Sequence, residues 1–543
     1  MKTRSRSQGF APDSAWLLAC VAAATVAAGC QNAEEAGGAE TVAEPLIAQE
    51  TPRGDIVAAL AEPAAEHCIQ EELNAIADPL ERFEEAFECG DELFETEFNS
   101  LDGVGANVGD GGRFSRVPRA DLNRPGQWAT HVPQRATGPN GQACNHCHES
   151  TEQGSGSAGE FGDGSGVAAL NVIRDPQHTA FVGQFIQRNT PHLFAIGALQ
   201  RLAEEMTDEL HAQRDAAREQ ACKHHRSVRV SLKSKGVSFG SIVVRCKGRD
   251  QLRGIDGIDG DLVVKPLQWK GNTLFVRDFN RGAGNNELGM QAVEITGDDV
   301  DGDSDGVVNE FGIGDMSALA IYNAGQPRPV SQLELRALGL EEQLGLEPLT
   351  DDQIAAIGRG DALFSRIGCA SCHKPALVID APIFSEPSQS PFYRDAVFPA
   401  GQDPVARGVD PANPITFDLT LDQPDNVFEI GGEEVRLGTL EANDAGGAIV
   451  RLFGDLKRHD MGPGLAENID ETGTGASVWL TKELWGVGST GPYLHDGRAT
   501  TLAEAILEHG GEAAASRRRF QRLPTGAQAD IVAFLENLIL IKI

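Results

Sequence analysis

Aromatic residues are scarce in this sequence: Phe, Trp and Tyr fill 6% of its 543 positions. A chain of that length folds around sizeable cores, so a shortage of large flat side chains leaves volume that bound cofactors can fill. Positive charge is scarce as well. The 46 Lys and Arg residues stand against 80 Asp and Glu, giving a net charge of −34, and no long basic run interrupts the acidity. That balance argues against nucleic acid and against anionic lipid as partners. Past the first thirty residues or so no apolar run reaches the length of a bilayer span. The hydrophobic share of 41% and charged share of 23% are ordinary for a soluble globular protein.

Cysteine is sparse too, at ten residues, yet four of the ten fall into two copies of one pattern. Cys144-Asn145-His146-Cys147-His148 and Cys369-Ala370-Ser371-Cys372-His373 both read C-x-x-C-H, the attachment signature of c-type haem. The two thiols bond to the haem vinyl groups, and the adjoining histidine gives iron its proximal nitrogen. Zinc knuckles and redox dithiols share the C-x-x-C half of the pattern. The histidine that ends both copies, and an export signal ahead of them, favour haem. The expected cofactors are therefore two covalently bound haem c groups, with His148 and His373 on iron. A soluble redox partner of opposite charge, such as a small basic cytochrome, suits the acidity, which equally serves plain solubility. Cys20 and Cys30 lie in the leader. The remaining four, Cys68, Cys89, Cys222 and Cys246, are even in number, and in an oxidising compartment they suggest two disulfides. Three connectivities exist, of which the local pairings Cys68–Cys89 and Cys222–Cys246 are preferred.

Residues 1–30 read as an export signal. Lys2, Arg4 and Arg6 precede an apolar stretch, Ala15 to Ala28, too short to span a bilayer. Ala27-Ala28-Gly29-Cys30 resembles a bacterial lipoprotein box, although Ala27 stands where a large aliphatic residue is customary, so Cys30 is a candidate lipid anchor. Ordinary cleavage near Ala28 or Gly29 is the alternative. Both place the mature protein in the periplasm or cell envelope. Residues 31–61 have the composition of a flexible linker. An N-terminal haem c domain is expected over 62–345. A helix is predicted at Leu80–Phe87 and a second short one from Gly90. An insertion at 203–262 begins as a charged helix and turns β-rich at 228–246. Asp301-Gly-Asp303-Ser-Asp305-Gly306 sets three carboxylates around a glycine turn, as calcium loops do. Gly312 occupies the place of an EF-hand glutamate, so the closing ligand is Glu310 or Asp315. A C-terminal cytochrome c domain is expected over 346–543, with a helix at Ile354–Leu363 leading into its motif and an insertion at 378–475. Helical sequence resumes at Thr481–Trp485, and an amphipathic helix at Ala529–Leu538 closes the chain. The predicted fold is mainly α: two cytochrome c-like haem domains with β-containing insertions.

A family resemblance adds to this reading. Trp485-Gly-Val-Gly-Ser-Thr-Gly-Pro492-Tyr493-Leu494-His495-Asp496-Gly497-Arg498, then Thr501-Leu502, and His509-Gly510-Gly511-Glu512-Ala513, resemble the bacterial di-haem cytochrome c peroxidase superfamily. With Asp455-Leu456-Lys-Arg-His459-Asp460-Met461-Gly462, the likeness is to its di-haem oxidoreductase branch, also called thiol oxidoreductases, from about residue 81 to 543. The resemblance implies an enzyme that passes electrons between two haems to reduce H₂O₂ or another small oxidant. His509 stands where the peroxidases usually have a methionine distal to the C-terminal haem, which implies a His373/His509 iron; Met461 and His459 are the alternatives. Gln268-Trp269-Lys270-Gly271 and Asn285-Asn286-Glu287-Leu288-Gly289-Met290 look like the family's inter-haem tryptophan and distal glutamate. Trp269 is then the candidate electron bridge and Glu287 the candidate acid–base group. The family's nearby glutamine is replaced near Arg277, which suggests a different substrate. His178 lies near the place of a removable distal histidine but not on it. The rival readings are a non-catalytic electron-transfer cytochrome and a di-haem oxidase of a protein or organic substrate.

Overall fold

A computed structural model describes residues 62–105, 141–148, 171–173, 185–302, 305–393, 402–422, 424, 426–430, 432–467, 470 and 472–541. The predicted export signal with Cys30, the predicted linker, His178 and Asp303 fall outside these. Residues 61–543 form one compact unit. Among the described residues no helix is long and apolar enough to cross a membrane.

Two helix crossings carry the architecture. The helix Pro79–Glu95 starts at Asp78, whose carboxylate caps the amides of Leu80 and Glu81. The sequence predicts two helices parted at Gly90; the structure has one running through it. Glycine costs a helix interior about 1 kcal/mol relative to alanine. It stays because the helix Ile313–Ala324 lies so close that a Cβ at Gly90 would overlap the Ala318 carbonyl. That approach sets Phe94 against Tyr322, with ring centroids 5.2 Å apart. The arrangement recurs in the second half. The helix Asp351–Ile367 begins in a capping box of Thr350 and Gln353 and crosses the helix Thr525–Glu536. A Cβ at Gly360 would overlap the Asp530 carbonyl, and Phe364 meets Phe534 at 5.3 Å.

The expectation of a mainly α fold of two cytochrome c-like domains is not what the structure shows. Helix accounts for 38% and strand for 15%, and the described strands make seven small antiparallel sheets. The reason lies in the 62 glycines and 27 prolines, which cut the stretches between helices into segments too short for helical turns to propagate. Short alternating runs pair instead. Ile383–Glu386 pairs with Ile415–Asp418, and Phe417 of that ladder stacks on Phe83 at 4.6 Å, so the second insertion packs on the first helix pair. Val228–Ser234, Val237–Val244 and Gln251–Ile255 form a three-stranded sheet against the helix Ile196–His224. Cys222–Cys246 closes that unit, and Cys68–Cys89 ties the chain's approach to its first helix, so both local pairings are the ones formed. The predicted helix at Thr481–Trp485 is extended, because the amides of Thr481 and Leu484 bond to the carbonyls of Lys457 and Leu452. The terminal helix ends at Glu536, and Leu538–Ile539 pairs with Val330–Ser331.

Asp315 ties the described N-terminal segment to the core. Fully buried, it accepts from the amide of Cys68 at 2.7 Å, from that of Gly312 at 2.6 Å, and from His67 Nδ1 at 2.7 Å. It is therefore not a ligand of the acidic loop. Its hydrogen bond raises the His67 pKa above 6.5.

Two predictions test these contacts. Gly360→Ala improves helix propensity yet is expected to lower stability by about 2 kcal/mol, because overpacking outweighs it; denaturant titration measures this. The His67–Asp315 contribution is complete below the unfolded pKa of 6.5 and is lost as pH rises through the higher folded value. Melting temperature should therefore fall as pH rises above about 6.5, and His67→Gln should flatten that fall.

Candidate functional site

The second C-x-x-C-H motif begins where the helix Asp351–Ile367 ends at Gly368, in a left-handed conformation (φ 95°). The amides of Cys372 and His373 bond back to the Cys369 carbonyl at 3.3 and 3.0 Å, which folds the motif into one turn. His373 Nδ1 lies 3.1 Å from the carbonyl oxygen of Phe453. Carbonyl oxygen only accepts, so Nδ1 carries the proton and the Nε2 lone pair is left for a metal. His509 is held the same way, Nδ1 to the Ala505 carbonyl at 2.7 Å. The two rings face one cavity of about 260 Å³, their centroids 6.4 Å apart. Two imidazoles gripping one metal through bonds of about 2 Å place their centroids about 6 Å apart, so this donor set fits an iron between them. Burial pushes the His373 pKa down to about 4, with the His509 ring adding to it, and burial lowers His509 as well. Both are then neutral at pH 7, as ligation requires.

The other two candidates for that iron differ from His509. His459 is enclosed by carboxylates: Nε2 lies 3.0 Å from Asp455 and Nδ1 2.8 Å from Glu512. Burial opposes charge there, but Asp455 and the Cys372 sulfur outweigh it and hold the pKa at about 11. An imidazole engaged at both nitrogens has no lone pair to offer. Among the described residues, Cys372, Asp455 and His459 are also the one cluster with metal-ligand spacing, but its cysteine belongs to the attachment motif. Met461 lines the cavity too.

The first motif repeats the turn. The amides of Cys147 and His148 bond to the Cys144 carbonyl at 3.1 and 2.9 Å. Phe94 stands 6.3 Å from His148, much as Phe364 stands 6.2 Å from His373. His148 is half-buried, with its Nδ1 atom enclosed and unpartnered, and desolvation lowers its pKa to about 4. A neutral imidazole beside two unbridged thiols is a donor set that fits a covalent haem. The adjoining cavity, about 60 Å³, is walled by Glu287, Asn280 and Asn323 among apolar side chains. Glu287 sits in the single π turn Gly284–Leu288, a helix irregularity frequent at functional sites. The amides of Gly141 and Gly105 hold this turn through the carbonyls of Glu287 and Leu288.

Trp269 lines the larger cavity and donates its indole N–H to the Asn189 carbonyl at 2.7 Å. Two residues on, the Pro191 carbonyl lies beside the His148 ring, and His192 again faces the larger cavity. The segment Asn189–His192 thus touches both sites. Arg277 does not reach the smaller cavity; it is fully buried in a network with Glu294, Glu386 and Ser317. In the acidic loop Asp301 accepts from the amides of Asp305 and Gly306. Glu310 is buried and accepts from the Gln291 amide.

Sequence reasoning gave no role to His495 and Trp479, which line the larger cavity, or to Lys270 behind them. His495 stacks on Trp479 at 3.8 Å, and Lys270 Nζ lies 3.7 Å from that ring. Lys270 is 1% exposed, pairs with Glu467 at 2.9 Å, and donates to the carbonyls of Gly475 and Val478. No motif marked Lys270 or Trp479 as partners, because they lie 209 positions apart in sequence. Lys270→Met leaves the 9%-exposed Glu467 with Arg188 as its remaining cation and should cost about 1–3 kcal/mol of stability, read by denaturant titration.

Comparison with known proteins supports the resemblance over part of the chain. Residues 426–538 match the model of a family described as "Di-haem oxidoreductase, putative peroxidase". The segments Trp485–Arg498 and His509–Ala513 lie inside that match. No curated protein matches the chain. Among solved structures, a MauG-like protein associated with microbial copper homeostasis is 17% identical, over 64% of this chain and 89% of its own, with a TM-score of 0.25. A score that low establishes no shared fold.

Proposed function

We propose that this chain is an exported di-haem c-type oxidoreductase of peroxidase type, which reduces H₂O₂ with electrons relayed between its two haem sites. The observation that carries the reading is the unlike surroundings of two motifs built alike. At the second, His373 and His509 face each other across one cavity; at the first, His148 shares a cavity with Glu287. Haem at these positions supplies a one-electron couple at each and, where a sixth position is open, a place for a small oxidant. The protein does the rest. His509 occupies the far side of the second site, and two imidazoles favour a lower potential than His and Met together. Glu287 moves a proton from one peroxide oxygen to the other, the transfer that O–O cleavage into water needs. Two electrons and two protons convert one H₂O₂ into two waters. Trp269, fixed through Asn189, stands on the route between the sites.

The same reading places the mature protein in the periplasm or cell envelope, with Cys30 as anchor. It is served there by a small basic redox protein, for which the net charge of −34 is the support. A calcium ion in the loop of Asp301, Asp303, Asp305 and Glu310 completes it; the inward-turned Asp301 carboxylate supports that.

Optical and EPR spectra of the holo-protein, oxidised and half-reduced, with H₂O₂ then added, test the proposal. One low-spin iron and one high-spin iron that reacts with peroxide are expected. Two low-spin irons that ignore peroxide in both states would overturn it and leave an electron-transfer protein. His509→Ala should turn the low-spin signal high-spin, whereas His459→Ala should leave it low-spin.

A further inference from the structure

Two asparagines at the first site have hydrogen-bonding capacity that the fold does not use. Asn280 lies on the helix Val276–Ala283 and Asn323 on Ile313–Ala324; they are 7% and 3% exposed. Asn323 Nδ2 donates to Asn280 Oδ1 at 3.0 Å. That leaves Asn280 Nδ2 and Asn323 Oδ1 buried with no partner. Reversing both amides changes nothing essential, since a paired couple of side-chain amides still leaves one N–H group and one carbonyl oxygen over. A buried polar atom without a partner is costly, and each one in a folded protein asks for a reason. Here two occur side by side, and both residues line the cavity that also holds Cys144, Cys147, His148 and Glu287. The rest of that wall includes Phe94, Phe279, Phe311 and Leu319, which offer nothing to hydrogen-bond.

We propose that Asn280 and Asn323 form a hydrogen-bonding clasp that orients a small hydroperoxide-class ligand at the first site. The inference rests on the reading of that site as the one that receives a small oxidant, and it deepens that reading by naming the selecting chemistry. The left-over N–H group needs an acceptor and the left-over carbonyl needs a donor. A hydroperoxide O–OH is both at once. Dioxygen, carbon monoxide and simple anions only accept, so they satisfy half of the clasp. The pair acts by holding the ligand, and Glu287 remains the group that handles its proton.

The test uses the full holo-protein with Asn280 and Asn323 both replaced by Leu, alongside the milder single variant Asn280→Ser. Replacing both members by apolar groups of similar shape removes the unpaired atoms, so stability should hold or rise. Two probes are read: the C–O stretch of carbon monoxide on the reduced protein, and the stopped-flow rate with H₂O₂. The clasp predicts that the stretch rises in the double variant, because the N–H donor has been lost, and moves less in Asn280→Ser, where Asn323 Nδ2 is freed from its present partner. It predicts that the peroxide reaction slows by about tenfold or more in the double variant, with the spectrum of the second site unchanged. An unmoved stretch and an unchanged rate would overturn the clasp while leaving the peroxidase reading standing. A parent protein that neither binds carbon monoxide nor reacts with peroxide would overturn both.

Discussion

At Gly90 and at Gly360 one helix lies on the carbonyl of another so closely that no side chain fits between them, and both candidate sites depend on that contact. Four residues after each glycine comes a phenylalanine, and four residues after each contacted carbonyl comes an aromatic partner: Phe94 with Tyr322, Phe364 with Phe534. The spacing is one helical turn, so the close approach at the glycine fixes where the ring pair stands. Each phenylalanine then meets the histidine of its C-x-x-C-H turn at nearly the same distance, 6.3 and 6.2 Å, and at nearly the same angle, 47° and 50°. The first motif is also tied to its helix directly, by the Asn145 amide on the Phe94 carbonyl. A larger residue at either crossing would push the helices apart, and the histidine would lose the wall that orients it.

Built alike, the two sites diverge in what surrounds the histidine. The second presents another imidazole, locked by its own main-chain carbonyl with its free nitrogen toward the cavity. Such a pair saturates a metal and suits electron transfer, because nothing has to dissociate or bind as the charge changes. The first presents a carboxylate, which can take up and release a proton, and two amides, which can only hydrogen-bond. Repetition supplies the scaffold, and a few side chains on the facing elements decide what each copy can do.

How much of this was legible in the sequence differed from element to element. Both disulfides could be read from spacing, and the segments that bring Glu287 beside the first motif and His509 opposite His373 could be singled out by resemblance, because each is local or sits in a recognisable stretch. Glu287 proved to stand at the first motif although more than 130 positions separate them. The fold class was misread. The expected cytochrome c-like domains imply a mainly helical chain, but the glycine- and proline-cut stretches between helices fold as short paired strands, and pairing is a long-range property that no window of sequence displays. The sequence suggests a new helix starting at Gly90, whereas one helix runs through it; what the glycine serves is a carbonyl at Ala318, over two hundred positions away. The doubled pattern Gly-x-x-x-Phe ahead of each motif was in plain view at Gly90–Phe94 and Gly360–Phe364. Its meaning needed the partner helices. Asn280 and Asn323 carried no signal at all, since an asparagine becomes notable only once its surroundings fail to satisfy it.

The stretches predicted as insertions turn out to hold the second site together. The strand Arg458–Asp460 pairs with Val478–Leu480 and places His459 beside Cys372. It is held from the other side by the first insertion: the Arg458 amide bonds to the Gly257 carbonyl at 3.0 Å, Lys457 pairs with Asp256, and Arg458 pairs with Asp259 at 2.5 Å. Lys270 and Arg188 join the same wall through Glu467. A chain so short of cations thus places several of them, partly or wholly buried, around one cavity, each against a carboxylate. Such pairs contribute little net stability, because desolvation offsets their attraction, but they penalise any arrangement that leaves one unmatched. They therefore act on geometry: the wall that carries His459, Trp479 and His495 can close in one register. With those cations matched inside, the excess of carboxylates falls to the rest of the molecule, where its field acts on whatever approaches from solution.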